Sequence, residues 1–279
     1  ILIAHLSVIF VGYFFTMTYR EHFRKIFVLA LPVCLSNLGH IMVGIVDAAF
    51  VGQIDENTFS YSATTAQAAI SLANSLYILV LVFGIGISFG LTPLVAEADT
   101  KKDSKTISEL LKSGFVVNAF TGVVLFLVLL VSSPVLYFFD QEKEVVALAV
   151  PFLNVMILGM IPLMIFSAFK QFAEGLSFTL FAMLVTIGSN LLNVLLNWIL
   201  IFGHWGFPAM GLMGSCWASF IARVVMAVCM FAYVRYAITF REYWVGFSFK
   251  SVSRYLSKKI LDIGIPSGLQ WVFEVGAFS

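Results

Sequence analysis

A few polar residues interrupt a chain that is otherwise nearly continuous hydrocarbon, and their types and spacing point to cation chemistry. Asp47 lies in IMVGIVDAAFVG, preceded by Asn37, His40 and Gly44. At about 100° per residue these positions fall within an arc of roughly 80° on a helix. Thr186, Asn190, Asn193 and Asn197 form a second stripe, at steps of four, three and four residues. Ser219 adds a hydroxyl nearby in sequence. Sodium accepts carboxylate, amide and hydroxyl oxygens, as other hard cations do. A proton needs only a carboxylate whose pKa can shift. The candidate cation-binding set is therefore Asp47, Asn190, Asn193, Asn197 and Ser219. Within it, Asp47, Asn193 and Asn197 are the expected sodium ligands. Two readings stand for Asp47, a cation or proton site and a carboxylate that merely reaches the outer headgroups. The Asn stripe reads either as cavity lining or as interhelical hydrogen bonding.

Other ionisable groups lie inside apolar runs, where each costs about 2.5–3.5 kcal/mol on insertion scales. Arg223 must find a carboxylate, carbonyls or water, as a structural ion pair or by snorkelling inward. Glu274, in WVFEVGAFS, is a second carboxylate and a substrate or coupling candidate, with Asn37 and His40. His40 reads equally as a satisfied interior histidine. Cys34, Cys216 and Cys229 sit in apolar runs and read as packing residues, with no disulfide framework and no zinc spacing. No Walker A, HExxH or GxSxG pattern occurs, and no catalytic constellation is visible. No cofactor is expected beyond the coupling ion.

The elements that must position these residues follow from composition. The chain has 279 residues, 61% hydrophobic and 11% charged, with a mean hydropathy of +1.00. An average soluble domain is about 25% charged. A net charge of +1 leaves no basic field to hold nucleic acid. The composition excludes an ordinary cytosolic enzyme, a disordered chain and a nucleic-acid binder. It predicts an all-α, polytopic helical membrane protein in contact with lipid. About 20 apolar residues cross the hydrocarbon core, and six such runs cover roughly 26–52, 63–95, 114–139, 145–169, 176–202 and 211–234. A seventh begins near 260. Residues 1–19 are an uncertain extra hydrophobic segment, and a poor signal peptide for lack of a basic start and a cleavage site.

Basic residues set the expected orientation. If Arg20, Arg24 and Lys25 are cytoplasmic, 14 of the 16 Lys and Arg residues fall inside, including Lys101, Lys102, Lys105, Lys112 and Lys170. Lys143 is left outside and Arg223 within the membrane. That asymmetry is a positive-inside pattern. Residues 236–258, aromatic and basic, read as an interfacial helix on the inner leaflet. Pro32, Pro162 and Pro266 are expected to kink their spans. Gly86 with Gly90, and Gly264 with Gly268, form GxxxG pairs that bring helices close.

Residues 25–35, KIFVLALPVCL, return as KILDIGIPSGL at 259–269, with Lys, Ile, Pro and Leu in register at an offset of 234. Repeated halves are a habit of secondary transporters. The chain then divides into a lobe at 20–235, a cytoplasmic loop at 236–258 and the truncated start of a second lobe at 259–279. Doubling the period implies roughly 430–470 residues for a complete protein.

Taken together, LALPVCLSNLGHIMVGIVDAAFVG, GIGISFGLTPLVAEA, GSNLLNVLLNWILIFGHWGFPAMGLMGSCWASFIAR and GIPSGLQWVFEVGAFS resemble the multidrug and toxic compound extrusion (MATE) family of cation-coupled antiporters. The resemblance runs from about Tyr19 to Ser279. It implies twelve spans in two six-helix lobes around a V-shaped cavity, export of small organic drug-like substrates against sodium or protons, and a monomer when full length. It implies an inner- or plasma-membrane location, and a chain that does not transport without its second lobe. Asp47 matches the family's first-span acidic residue, and Asn193 and Asn197 its fifth-span polar positions. Some members carry Asp where Asn197 stands, and a Thr is usual where Ser219 stands. Glu274 matches the seventh-span acidic residue of the sodium-coupled type. The alternatives are a lipid-linked oligosaccharide flippase of the same superfamily, against which the scarcity of intramembrane Arg and Lys argues, and a membrane receptor or enzyme.

Overall fold

The computed structural model describes residues 19–55, 58–139, 141–244 and 252–278, with the side chains at 21, 22, 25, 40, 41 and 278 outside the description. The extra helix expected over 1–19 therefore lies outside the described residues, apart from Tyr19. In chain order the helices are α1 (Tyr19–Val51), α2 (Ala63–Phe89), α3 (Leu91–Thr100), α4 (Ser104–Ser132), α5 (Lys143–Leu158), α6 (Met160–Gly175), α7 (Thr179–Phe202), α8 (Leu212–Tyr236) and α9 (Arg254–Phe278). Among the described residues six segments are long and apolar enough to cross a membrane: Ile26–Val51, Ala63–Thr100, Ser104–Phe138, Lys143–Gly175, Thr179–Phe202 and Leu212–Tyr236. The chain is a polytopic helical membrane protein. α9 is helical over the seventh run but is not among these segments.

Three of the described spans are composite: one joins α4 to a 3-10 turn at Ser133–Phe138 that carries Pro134 at its start, and proline also explains the other two. α2 gives way to α3 at Gly90, and α5 gives way to α6 at Gly159. Pro93 and Pro162 each stand three residues past the glycine, where they supply no N–H for the carbonyl of Phe89 or Leu158. Pro162 thus interrupts its span as expected. α1 and α9 instead run unbroken through Pro32 and Pro266. The third span starts ten residues earlier than its apolar run, so Lys105 and Lys112 belong to the first turns of α4 and not to a loop. Asp103 caps that helix through its carboxylate, which accepts from Thr106 N–H at 3.1 Å and from the Thr106 hydroxyl at 2.6 Å.

Among the described residues the core has two large layers and a small third cluster of Ile199, Leu200 and Ala218. One layer gathers Val51, Tyr77, Leu129, Phe152 and Met160. The other is rich in rings and gathers Leu91, Phe166, Phe169, Phe172 and Ile260. Phe240 belongs to this second layer. It is fully buried on a short 3-10 turn, Ile238–Phe240, against Phe172, Phe178 and Tyr233. The expectation of an interfacial helix over 236–258 is corrected at its start: the ring docks into the lobe because that gains more apolar contact than lying at the surface. Residues 245–251 lie outside the described residues.

α9 packs on α2 through the glycines expected to bring helices together. A Cβ at Gly86 would sit 2.3 Å from Gly268 Cα, and one at Gly90 would sit 2.3 Å from the Ile260 carbonyl oxygen. Backbone opposes backbone, so nothing there can yield. Gly90→Ala is therefore expected to destabilise the protein by about 1–3 kcal/mol through overpacking. Gly188→Ala in α7, where a Cβ meets nothing within 4 Å, is expected to be neutral or stabilising by up to about 1 kcal/mol. Thermal unfolding of the purified variants in micelles checks both. The Thr106 hydroxyl and N–H hold the Asp103 carboxyl below its ordinary value. A depressed carboxyl stabilises above its unfolded pKa and loses that contribution as pH falls. The melting difference between wild type and Asp103→Ala should therefore be open at pH 7 and close on acidification.

Candidate cation site

The polar stripes of α1 and α7 meet as a zipper between parallel helices. The Ser36 hydroxyl lies 3.1 Å from that of Thr186, an offset of 150 residues. Asn197 Nδ2 donates to Asp47 Oδ1 at 2.6 Å, again at an offset of 150. Between them Asn190 Nδ2 donates to the Gly39 carbonyl at 2.8 Å. Gly39 permits the approach, since a Cβ there would stand 2.8 Å from Thr186 Cγ2 and 2.9 Å from Asn190 Nδ2. Equal spacing on both helices carries the register from Ser36 to Asp47 without slippage.

α8 completes the cluster. Ser219 Oγ donates to Asp47 Oδ2 at 2.6 Å, and Asn193 Nδ2 donates to Ser219 Oγ at 3.0 Å. Asn193 Oδ1 in turn accepts from Asn197 Nδ2 at 3.2 Å. Asp47 is 6% exposed, Asn193 1%, Asn197 0% and Ser219 1%. A carboxylate taken this far from water must be compensated by donors, and both of its oxygens are. Of the readings open for Asp47, the headgroup contact is thus replaced by a buried, three-helix cluster. The structure brings Asp47, Asn193, Asn197 and Ser219 together and sets Asn190 two turns away on the same seam.

The remaining candidates do not join them. Asn37 is half-buried, and its Oδ1 accepts from Lys170 Nζ at 3.1 Å. Lys170, at 3% exposure, lies 3.9 Å from Glu174 one turn on in α6. Lys170 is therefore a buried helical residue with partners inside the lobe. Gly44 is exposed with open space around it. The buried face of α1 runs through Pro32, Ser36, Gly39 and Asp47, so the expected stripe through Asn37, His40 and Gly44 is turned by about one residue. The side chain of His40 lies outside the described residues. Glu274 stands exposed on α9, which packs on α2, α3 and α4, whereas the cluster belongs to α1, α7 and α8. Among the described residues no carboxylate lies within ion-pair distance of Arg223. Its Nη1 donates to the Tyr77 hydroxyl at 2.6 Å and reaches the Met156 carbonyl at 3.5 Å. Ser36, Gly39 and the Lys170–Glu174 pair escaped the sequence reading. The i, i+4 spacing of Lys170 and Glu174 was the one signal available for them.

The donor set fits a hard monovalent cation on one observation in particular. Asn197 Oδ1 is buried and has no hydrogen-bond partner, although its own amide nitrogen is bonded to Asp47. A free amide oxygen beside a carboxylate is what an oxygen-coordinated ion requires. Among the described residues no group of three or more His, Cys, Asp or Glu gathers, so the set does not suit a transition metal.

Six apolar spans among the described residues, with a polar, carboxylate-bearing seam between helices, define a polytopic helical membrane protein. The family model described as MatE matches residues 32–199, and the chain belongs to that family. It is 28% identical over 262 residues to the probable multidrug resistance protein NorM of Rhizobium meliloti, covering 94% of this chain and 54% of that protein. It is 26% identical over 266 residues to the multidrug resistance protein NorM of Photobacterium profundum, covering 94% of this chain and 56% of that protein. The chain thus spans about half the length of these relatives. Its fold is similar to the crystal structure of a MATE protein in a bent conformation, with a TM-score of 0.78, 20% identity, and coverage of 91% of this chain and 54% of that one. A eukaryotic MATE transporter gives a TM-score of 0.79 at 16% identity, covering 90% and 54%.

Ser219→Ala removes a donor from a buried carboxylate, and Asn197→Ala removes the other. Each is expected to destabilise the protein by about 1–3 kcal/mol, the cost of leaving a buried acceptor unsatisfied. Asn190→Ala, at a half-buried bond to a carbonyl, should cost about 1 kcal/mol or less. Thermal unfolding of the three variants in micelles checks the order.

Proposed function

We infer that this six-span unit acts as one lobe of a secondary transporter that exports drug-like organic compounds in exchange for sodium ions or protons, with the Asp47 cluster as the seat of the driving cation. One observation carries the reading: a buried carboxylate is held by donors from two other helices, while an amide oxygen beside it is left without a partner. Family membership and the multidrug resistance proteins among the relatives support the substrate class. The basic-residue asymmetry supports a cytoplasmic N-terminus for α1 in an inner or plasma membrane.

Each residue has a distinct part. Asp47 supplies the negative charge. Asn197 and Ser219 stabilise it in the absence of a cation by donating to its two oxygens. Asn193 aligns both partners, donating to Ser219 and accepting from Asn197. A bound sodium ion would draw on the oxygens of Asp47, Asn193 and Asn197, and a proton would neutralise Asp47 alone. Either removes a charge that α7 and α8 were placed to satisfy, so the α1 seam is held differently in the two states. Pro32 gives α1 a weak point where a hydrogen bond is missing. Asn37, His40 and Glu274 remain the candidates for substrate contact or coupling, and the protein is read as a monomer.

A ligand shifts such an equilibrium only through its different affinities for the two states. The drug and the cation, favouring opposite states, should each weaken the other by the same factor, typically about 1–3 kcal/mol of coupling. Asp47→Asn is expected to abolish efflux driven by imposed sodium or proton gradients in proteoliposomes of the full-length, two-lobe protein. Asn193→Ala should weaken cation binding more than it lowers the melting temperature. Wild-type transport with wild-type ion dependence in Asp47→Asn would remove the carboxylate from the mechanism.

A further inference from the structure

Arg223 lies on the face of α8 that carries Ser219, one helical turn further along. Its position near the middle of a span calls for a built seat, and the structure contains one. The Tyr77 hydroxyl accepts from Nη1 at 2.6 Å, and the Tyr77 ring lies 5.3 Å from the guanidinium carbon. Tyr77 itself is 2% exposed. The Met156 carbonyl, in the last turn of α5, lies 3.5 Å from the same nitrogen. That carbonyl also accepts from Gly159 N–H at 3.1 Å, the tight turn that ends α5. Gly159 leaves the room: a Cβ there would stand 2.8 Å from Arg223 Nη1 and 3.0 Å from its Cδ.

α8 is therefore gripped twice along one face. Ser219 holds it to Asp47 on α1, and Arg223 holds it in the notch where α5 breaks into α6. The grips are about 6 Å apart along the helix axis, four residues at about 1.5 Å each. A slide or rotation of α8 that loosens one must strain the other, because packed helices shift as units. Ion arrival at Asp47 acts directly on the first grip. In the structure the Ser219 hydroxyl hydrogen is committed to Asp47 Oδ2. A cation on that carboxylate repels the hydrogen, and Ser219 has to turn or withdraw.

We propose that Arg223 is a positioning residue that ties the Asp47 cluster to the break at Gly159, so that ion occupancy and movement at the α5–α6 notch are one linked event. This rests on the reading of Asp47 as the seat of the driving cation. It adds a second place, in a different span, where that ion's affinity is set. A residue serving stability alone would lower the melting temperature and leave the ion dependence where it was.

The test uses Arg223→Lys, which keeps the charge but loses the planar fork, Gly159→Ala, which crowds the seat from the opposite helix, and the double variant. Drug efflux from proteoliposomes of the purified full-length, two-lobe protein is measured against the concentration of the driving cation, sodium or proton. Each single substitution is expected to raise the half-saturating cation concentration about fivefold or more, the lower end of ordinary coupling. Drug transport at saturating cation should change less than about twofold. The double variant should match the stronger single, because both act through one contact. An unchanged cation dependence in Arg223→Lys, or fold-changes that multiply in the double variant, overturns the proposal. If Gly159→Ala does not fold, Tyr77→Phe takes its place in the same cycle with the same two outcomes. Asp47→Asn is measured alongside: wild-type ion dependence there means that the cation-seat reading has failed, whereas loss there with wild-type behaviour in Arg223→Lys removes Arg223 alone.

Discussion

A carboxyl group buried among apolar spans persists only where hydrogen-bond partners are brought to it, and here they arrive on two other helices. Asp47 takes one hydrogen bond from α7 and one from α8. Much of the lobe can be read as the means of keeping those donors in place. Gly39 lets α1 approach α7, the common spacing of Ser36–Thr186 and Asp47–Asn197 keeps the register, and Asn193 orients both partners. One turn further along the same face of α8, Tyr77 and Met156 hold Arg223. Breaking any of these costs more than the local contact, because a buried charge is left short of partners.

The spans and their number were legible because a run of apolar residues in a membrane has few alternatives. The Asn stripe was legible for a related reason: an amide cannot face lipid, so Asn193 and Asn197 had to look inward. Periodicity served less well on α1. A helix wheel tells which residues share a face, but not which of two adjacent faces is buried. That was decided by Gly39, whose missing side chain matters only once α7 is present. Lys170 was counted only among the inner basic residues; Glu174, one turn on in the same helix, was a readable partner, whereas Asn37 on α1 is one that only the assembled bundle brings near.

Glycine and proline acted together more than separately. Gly90 with Pro93, and Gly159 with Pro162, each divide a span into two helices. The proline removes a hydrogen bond and the glycine leaves lateral room at the same level. In one case the room admits the backbone of α9, and in the other it admits the Arg223 side chain. Pro32 and Pro266, without such a glycine three residues earlier, leave their helices continuous.

The offset of 150 residues between Asp47 and Asn197 has a consequence for biosynthesis. A ribosome adding about 5–20 residues per second makes Asn197 roughly 8–30 s after Asp47, and Ser219 later still. Throughout that interval α1 holds a carboxylate with neither of its donors in existence. The nascent helix must wait at a wet or protein-lined margin of the insertion machinery, or take up a proton, until the fifth and sixth spans emerge. The cluster is therefore a late checkpoint in assembly. Slowed translation between α1 and α7 would prolong the exposure of a charged helix to degradation, even with every residue of the lobe intact.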